Sequence, residues 1–218
     1  MSSKKDYTLP RQTLGEEIAN GITHGIGAAL ATAALTILVV FAALKGDTWQ
    51  VVSFSIYGAS LVLMYVSSTL YHSITNLKAK RYFRIMDHSS IFLLIAGTYT
   101  PITLIALRGT GWGWTIFGLI WGLAILGILF KLMFYGKLEK LSVVFYILMG
   151  WLAVVAIKPM IANLPTGLLL WIAIGGLSYT LGIIFYAWTK LPYSHSIWHL
   201  FVLGGSISHF FGILLYLA

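Results

Sequence analysis

Residues 18–44 read IANGITHGIGAALATAALTILVVFAAL, a stretch without a single charged side chain. About 20 such residues suffice to cross the hydrocarbon core of a bilayer as a helix. Similar apolar stretches follow along the chain, separated by short charged or proline-containing breaks. We therefore expect an all-α polytopic membrane protein, a bundle of seven transmembrane helices. The expected spans are Ile18 to Leu44, Trp49 to Tyr71, Ile85 to Leu107, Trp112 to Leu132, Leu141 to Ile157, Gly167 to Trp188 and Ile197 to Leu217.

The composition supports this class. Of the 218 residues 59% are hydrophobic and only 9% are charged, whereas about 25% are charged in soluble domains. The absence of cysteine excludes disulfides and thiolate metal ligands. The net charge of +8 does not indicate nucleic-acid binding, because the basic residues lie in short loops between the spans. There they determine topology and contact anionic lipid.

The basic residues also predict the orientation of the bundle. All but three of the 14 Lys and Arg fall on one side of it, the exceptions being Lys45, Arg108 and Lys158. Short cytoplasmic loops carry the excess of Lys and Arg, so we expect a cytoplasmic N-terminus and an outside C-terminus in the plasma membrane. Residues 1–15 then form a short cytoplasmic tail, and 16–218 a single transmembrane domain.

Five polar residues are expected at one depth of this bundle, near the cytoplasmic face. Ser68 and His72 end the second span, Asp87 begins the third, and His195 and His199 begin the seventh. Ionisable side chains within a membrane are costly, and they indicate function. His195 and His199 are spaced i, i+4 and share one helical face. Three imidazoles that leave one coordination position open are typical of catalytic zinc, which supplies an activated water at neutral pH.

Two of these residues are candidates for catalytic roles. Asp87 could act as a general acid or base on that water, or could orient a histidine. Ser68 lies one helical turn before His72, and could bond the water or a substrate carbonyl. The structural alternative for Ser68 is a hydrogen bond to a carbonyl in its own helix.

Other polar residues are assigned structural roles. Glu16 and Glu17 suit the positive end of a helix dipole as caps. His24 and His209 are interpreted as hydrogen-bonded structural histidines, since His209 lies about 15 Å beyond His199 along the helix. Lys131 is expected to extend its amine to the cytoplasmic interface.

At these positions the chain resembles the hemolysin III group, the bacterial branch of the progestin and adipoQ receptor family. The matching stretches are Glu17-Ile-Ala-Asn20-Gly-Ile-Thr23-His24, Ser68-Thr-Leu-Tyr-His72, Asp87-His88-Ser89, Gly97-Thr-Tyr-Thr-Pro101 and His195-Ser-Ile-Trp-His199, with His209. The resemblance implies a zinc ion held by His72, His195 and His199, with Asp87 and Ser68 close by. It also implies kinship with membrane hydrolases that include alkaline ceramidases.

Three functions are compatible with the sequence. The first is a zinc-dependent hydrolase of amide or ester bonds in membrane lipids or lipid-like substrates, with a role in membrane homeostasis. The second is a non-enzymatic, receptor-like or homeostasis sensor with structural zinc. The eukaryotic receptors of this family carry a longer cytoplasmic N-terminal region than this chain, which counts against hormone signalling. The third is a cytolytic or conductive membrane protein. The sequence predicts no particular oligomeric state.

Overall fold

The structure, a computed structural model, describes residues 12–134 and 139–218, without the side chain of Lys140. Within these ranges the chain is helical and forms no strand. The helices are α1 (Leu14–Lys45), α2 (Thr48–Ser73), α3 (Leu77–Pro101), α4 (Gly111–Met133), α5 (Glu139–Gly150), α6 (Ile157–Asn163), α7 (Thr166–Ala187) and α8 (Ser194–Leu217). A π turn, Ile102–Ala106, extends α3, and a 3-10 turn, Trp151–Val154, follows α5.

Six helices are long and apolar enough to cross a membrane, and α5 and α6 together form a seventh if the bent pair is one span. Its two parts, Leu141–Val154 and Ile157–Asn163, meet at 49°. The all-α, seven-span prediction is therefore confirmed. Most of the predicted tail, residues 1–11, lies outside the described residues.

Two predicted breaks are helical. The third span was expected to begin only at Ile85, but α3 already begins at Leu77. Asn76 caps this helix: its Oδ1 atom accepts hydrogen bonds from the backbone N–H groups of Lys78 and Ala79, each at 3.1 Å. Likewise Pro159 lies in the first turn of α6, where a proline costs no helical hydrogen bond. Hydropathy identifies only the apolar part of a helix, so polar turns at its ends are missed.

Consecutive helices α1 to α4 pack side by side, and α8 packs between α7 and α1. The starts of α1, α3 and α8 and the end of α2 therefore lie at one end of the bundle. We call this the N-terminal end. It brings together polar residues from four helices that are far apart in sequence.

The start of α5 is attached at this same end by a cluster of charges. Glu139 contacts the Lys131 amine of α4, and its Oε2 atom lies 3.2 Å from Nδ1 of His88 in α3. Burial raises the pKa of Glu139, but the hydrogen bonds and charges of His88 and Lys131 outweigh it and hold the pKa below its ordinary value. Lys131 is 3% exposed, and its amine reaches this end of the bundle, where the cytoplasmic interface is expected, without being free in solvent. It is buried in an ion pair instead.

Candidate metal centre

Three histidines converge at the N-terminal end. His72 lies in the last turn of α2, and His195 and His199 lie in the first two turns of α8. Each offers one ligand atom, and these atoms all lie within 4.8 Å of one another. Among the His, Cys, Asp and Glu residues of the described ranges, these three histidines lie close enough together to hold a metal. The structure thus brings together the three histidines that the sequence singled out.

The geometry of this group fits a metal. Nitrogen ligands lie about 2.0–2.1 Å from zinc, so in a tetrahedral arrangement they are about 3.3 Å apart. Small side-chain movements would bring these atoms to that spacing. Nε2 of His72 is buried and has no hydrogen-bond partner among the described residues. A buried polar atom without a partner is costly, and a metal would satisfy it.

Asp87 and Ser68 border the cluster without belonging to it. Asp87 is 7% exposed on α3 and interacts electrostatically with His72, His88 and Arg84. Ser68 is fully buried one turn before His72, and its side chain faces Asp87. Its hydroxyl oxygen has no hydrogen-bond partner of good geometry in the described part of the chain. The predicted alternative of a bond to its own helix is therefore not found.

Two further histidines, predicted to be structural, differ from each other. His209 behaves as predicted, because its Nε2 atom lies 3.3 Å from the Ile172 carbonyl oxygen. His24 stacks on His199, with ring centroids 3.4 Å apart. Both of its ring nitrogens are buried without a hydrogen-bond partner within the described residues. The hydrogen bond expected for His24 is therefore not found among the described residues, and its contact with His199 is one of ring stacking.

The first helix supplies contacts that sequence reasoning missed. Glu16 does form a cap, in a reciprocal pair of hydrogen bonds with Thr13. Glu17 does not, since its Oε2 atom lies 2.8 Å from Nδ1 of His72. On the same helix, Oγ1 of Thr23 lies 3.1 Å from Nδ1 of His199. The one available signal was the spacing of Glu17, Asn20 and Thr23 along one side of an otherwise apolar helix.

Asn20 joins α1 to α8. It is fully buried, and its Oδ1 atom accepts the Ser196 hydroxyl at 2.6 Å. Close by, Tyr193 precedes α8 in a left-handed conformation, with φ 58°. Its backbone N–H donates to Oε1 of Glu16 at 3.1 Å. The start of α8, and with it His195, is thereby held against the first turns of α1.

Several known proteins are similar in sequence to this chain. The model of the haemolysin-III-related family matches residues 12–210. Hemolysin-3 of Bacillus cereus is 52% identical over 209 residues, covering 96% of this chain and 95% of that protein. The Hemolysin-3 homolog of Bacillus subtilis is 50% identical over 204 residues, covering 94% and 95%.

A human protein is more distantly similar. The monocyte to macrophage differentiation factor of Homo sapiens is 29% identical over 218 residues, covering 95% of this chain and 87% of that protein. The match to the family model extends from the start of α1 into α8. It therefore includes the helices that carry the histidine cluster. The chain belongs to the haemolysin-III-related family and is a membrane protein with several spans.

Proposed function

We propose that the chain is a zinc-dependent membrane hydrolase that cleaves an amide or ester bond of a lipid-like substrate. The observation that carries the proposal is the convergence of His72, His195 and His199. It is supported by the unpartnered Nε2 atom of His72, and by the carboxylate of Asp87 and the hydroxyl of Ser68 beside the cluster.

Each residue has a distinct role in the proposed reaction. The three histidines would hold the zinc, which when bound would supply a Lewis acid and an activated water. The carboxylate of Asp87 takes the proton from the attacking water. It then delivers that proton to the amide nitrogen or ester oxygen that leaves. The hydroxyl of Ser68 donates a hydrogen bond to the acyl oxygen, where negative charge develops.

The surroundings of the cluster favour a lipid-like substrate. The outward faces of α1, α4 and α7 are covered by large exposed apolar side chains, as a bilayer-embedded bundle requires. A substrate that is itself dissolved in the membrane can reach a site between such helices. With the predicted topology, the site lies near the cytoplasmic face of the plasma membrane, which suits a role in membrane-lipid homeostasis.

The variant Asp87→Asn tests the role of the acid. The expected result is a protein that retains zinc but loses turnover of N-acyl sphingoid and glycerolipid ester substrates, since the amide cannot accept the proton. Asp47→Asn is the matched control, because Asp47 caps α2 at the opposite end of the bundle. Retained zinc with undiminished cleavage in Asp87→Asn would exclude Asp87 as the base.

A structural role of zinc is the second candidate. Its favouring observation is that His72 belongs to α2 and the other two histidines to α8, so that a metal would join two distant helices. It predicts that zinc removal lowers the melting temperature and that the intact protein releases no lipid product. A metal-free protein with an unchanged melting temperature would count against it.

Membrane lysis is the third candidate, favoured by the name Hemolysin-3 of the two bacterial relatives. It predicts that vesicles loaded with a fluorescent dye leak in proportion to the amount of reconstituted protein. Tight vesicles at high protein density would exclude it.

A further inference from the structure

Glu17 contacts the candidate metal centre from outside, and its two oxygens have different partners. Oε2 lies 2.8 Å from Nδ1 of His72 in α2. Oε1 lies 2.9 Å from the Lys80 amine in α3. The side chain of Glu17 is 17% exposed and that of His72 is fully buried. The Lys80 ammonium thus holds the Glu17 carboxylate in place while the carboxylate contacts His72, a candidate metal ligand.

The direction of this hydrogen bond determines which nitrogen of His72 is free. An ionised carboxylate can only accept, so Nδ1 of His72 must carry the hydrogen. Asn20 places its amide nitrogen 3.5 Å from the same atom, but that group is a donor and is directed to Oε1 of Gln12 at 2.8 Å. Nε2 of His72 then keeps its lone pair, and it is the buried nitrogen without a partner.

Thr23 repeats this arrangement at the second helix of the cluster. Its hydroxyl hydrogen is directed to the backbone carbonyl oxygens of Ala19 and Asn20, at 2.9 and 3.0 Å. The hydroxyl oxygen is then left to accept from Nδ1 of His199 at 3.1 Å. One side of α1 thereby contacts histidines of both α2 and α8.

We infer that Glu17 is a positioning residue for the metal: it holds the His72 ring with Nε2 directed into the cluster, while Lys80 fixes the carboxylate. Partners of this kind fix the tautomer and orientation of a ligating histidine and raise its basicity. Their loss typically lowers metal affinity by about 10- to 100-fold. The inference rests on the proposed function, because it requires that His72 bind a metal.

The test compares zinc affinity in three variants of the full chain in mild detergent. Glu17→Ala removes the acceptor, and Glu17→Gln replaces the carboxylate with an amide oxygen that can still accept. Lys80→Met removes the other partner of the same carboxylate and leaves the acceptor of His72 in place, so it measures how much Lys80 contributes by fixing that carboxylate. The dissociation constant for Zn²⁺ is measured by competition with a chelator. The melting temperature of each metal-free protein is recorded beside it.

The expected result is a dissociation constant raised about 10- to 100-fold in Glu17→Ala, a smaller rise in Glu17→Gln, and the smallest in Lys80→Met. The metal-free melting temperature of Glu17→Ala should remain near that of the wild type. An unchanged dissociation constant in Glu17→Ala overturns the inference. If the metal-free melting temperature is lowered at the same time, the contact of Glu17 with His72 is purely structural.

Two remaining outcomes are also decisive. If Glu17→Ala does not fold, Glu17→Gln decides. A raised dissociation constant for Zn²⁺ in Glu17→Gln supports the inference, and an unchanged one overturns it. If the folded wild type binds no zinc, the proposed function fails and this inference fails with it. Zinc binding that is equally tight in the wild type and both Glu17 variants overturns only the role of Glu17.

Discussion

Ser68 and Ser67 are adjacent buried hydroxyls with different surroundings. Ser67 donates to the Leu63 carbonyl oxygen at 2.6 Å, whereas Ser68 has no hydrogen-bond partner of good geometry among the described residues. The Ser68 hydroxyl faces the Asp87 carboxylate instead, so it can turn to a substrate without breaking a bond within its own helix. The pair therefore offers a direct comparison of a structural serine with a candidate functional one.

We predict that Ser68→Ala retains zinc and folded stability but lowers lipid turnover by about 100-fold, the usual effect of removing one donor to a developing oxyanion. Stability should change little, because the Ser68 hydroxyl makes no hydrogen bond of good geometry with the described residues, its own helix included. Ser67→Ala is the control and should turn over substrate like the wild type. The rate of fatty-acid release per zinc-loaded chain checks this. Equal rates in the two variants would remove Ser68 from the mechanism.

The sequence could predict some residues of the site and not others. His195 and His199 share a helical face by spacing alone, and the order of the spans brings them to the depth of His72. The role of Glu17 could not be predicted, because its place near a helix start also suits a cap. Its actual partners lie on α2 and α3, and the contact depends on how those helices pack against α1.

At the scale of elements, α7 packs mainly against α8, and two adjacent glycines face differently. A Cβ at Gly175 would overlap the His209 ring, whereas a Cβ at Gly176 would meet open space. The first glycine therefore permits close approach of the two helices, as small residues do in membrane bundles. The second does not contribute to this contact.

Gly175→Ala should lower the free energy of unfolding by about 1–3 kcal/mol, since overpacking displaces the His209 ring or the helix. Gly176→Ala should leave it unchanged or raise it by up to about 1 kcal/mol through better helix propensity. Thermal melting of both variants in the same detergent checks the difference. A Gly175→Ala protein as stable as Gly176→Ala would contradict the close packing of α7 on α8.

Element boundaries were predictable only where hydropathy changes with structure. The spans of α2 and α4 agree with their helices to within about two residues, within the usual scatter at helix ends. The polar first turns of α3 and the bend before α6 were missed. Their charged residues and proline resemble a loop in sequence, yet Asn76 caps α3 and Pro159 occupies a permitted first turn.

At the scale of the whole molecule, the basic residues predict that the N-terminal end faces the cytoplasm. The chain contains no cysteine, so single cysteines can report its topology directly. Thr75→Cys lies between α2 and α3, and Gly109→Cys lies before α4 at the opposite end; both positions are exposed.

A membrane-impermeant maleimide should label Gly109→Cys in intact cells and Thr75→Cys only after permeabilisation. The reason is that the loop containing Gly109 is expected on the outer side of the membrane, and the loop containing Thr75 on the cytoplasmic side. A permeant maleimide that labels both variants provides the control. The reverse pattern of labelling would invert the predicted orientation and place the histidine cluster at the outer face.

The central claim is that the histidine cluster binds zinc, and bound metal in the purified protein tests it most directly. Elemental mass spectrometry is applied to chelator-free wild type, to His195→Ala with His199→Ala, and to His209→Ala as a control outside the cluster. We predict about one zinc per chain in the wild type and in His209→Ala, and none in the double variant. A folded wild-type protein without bound metal would contradict the account.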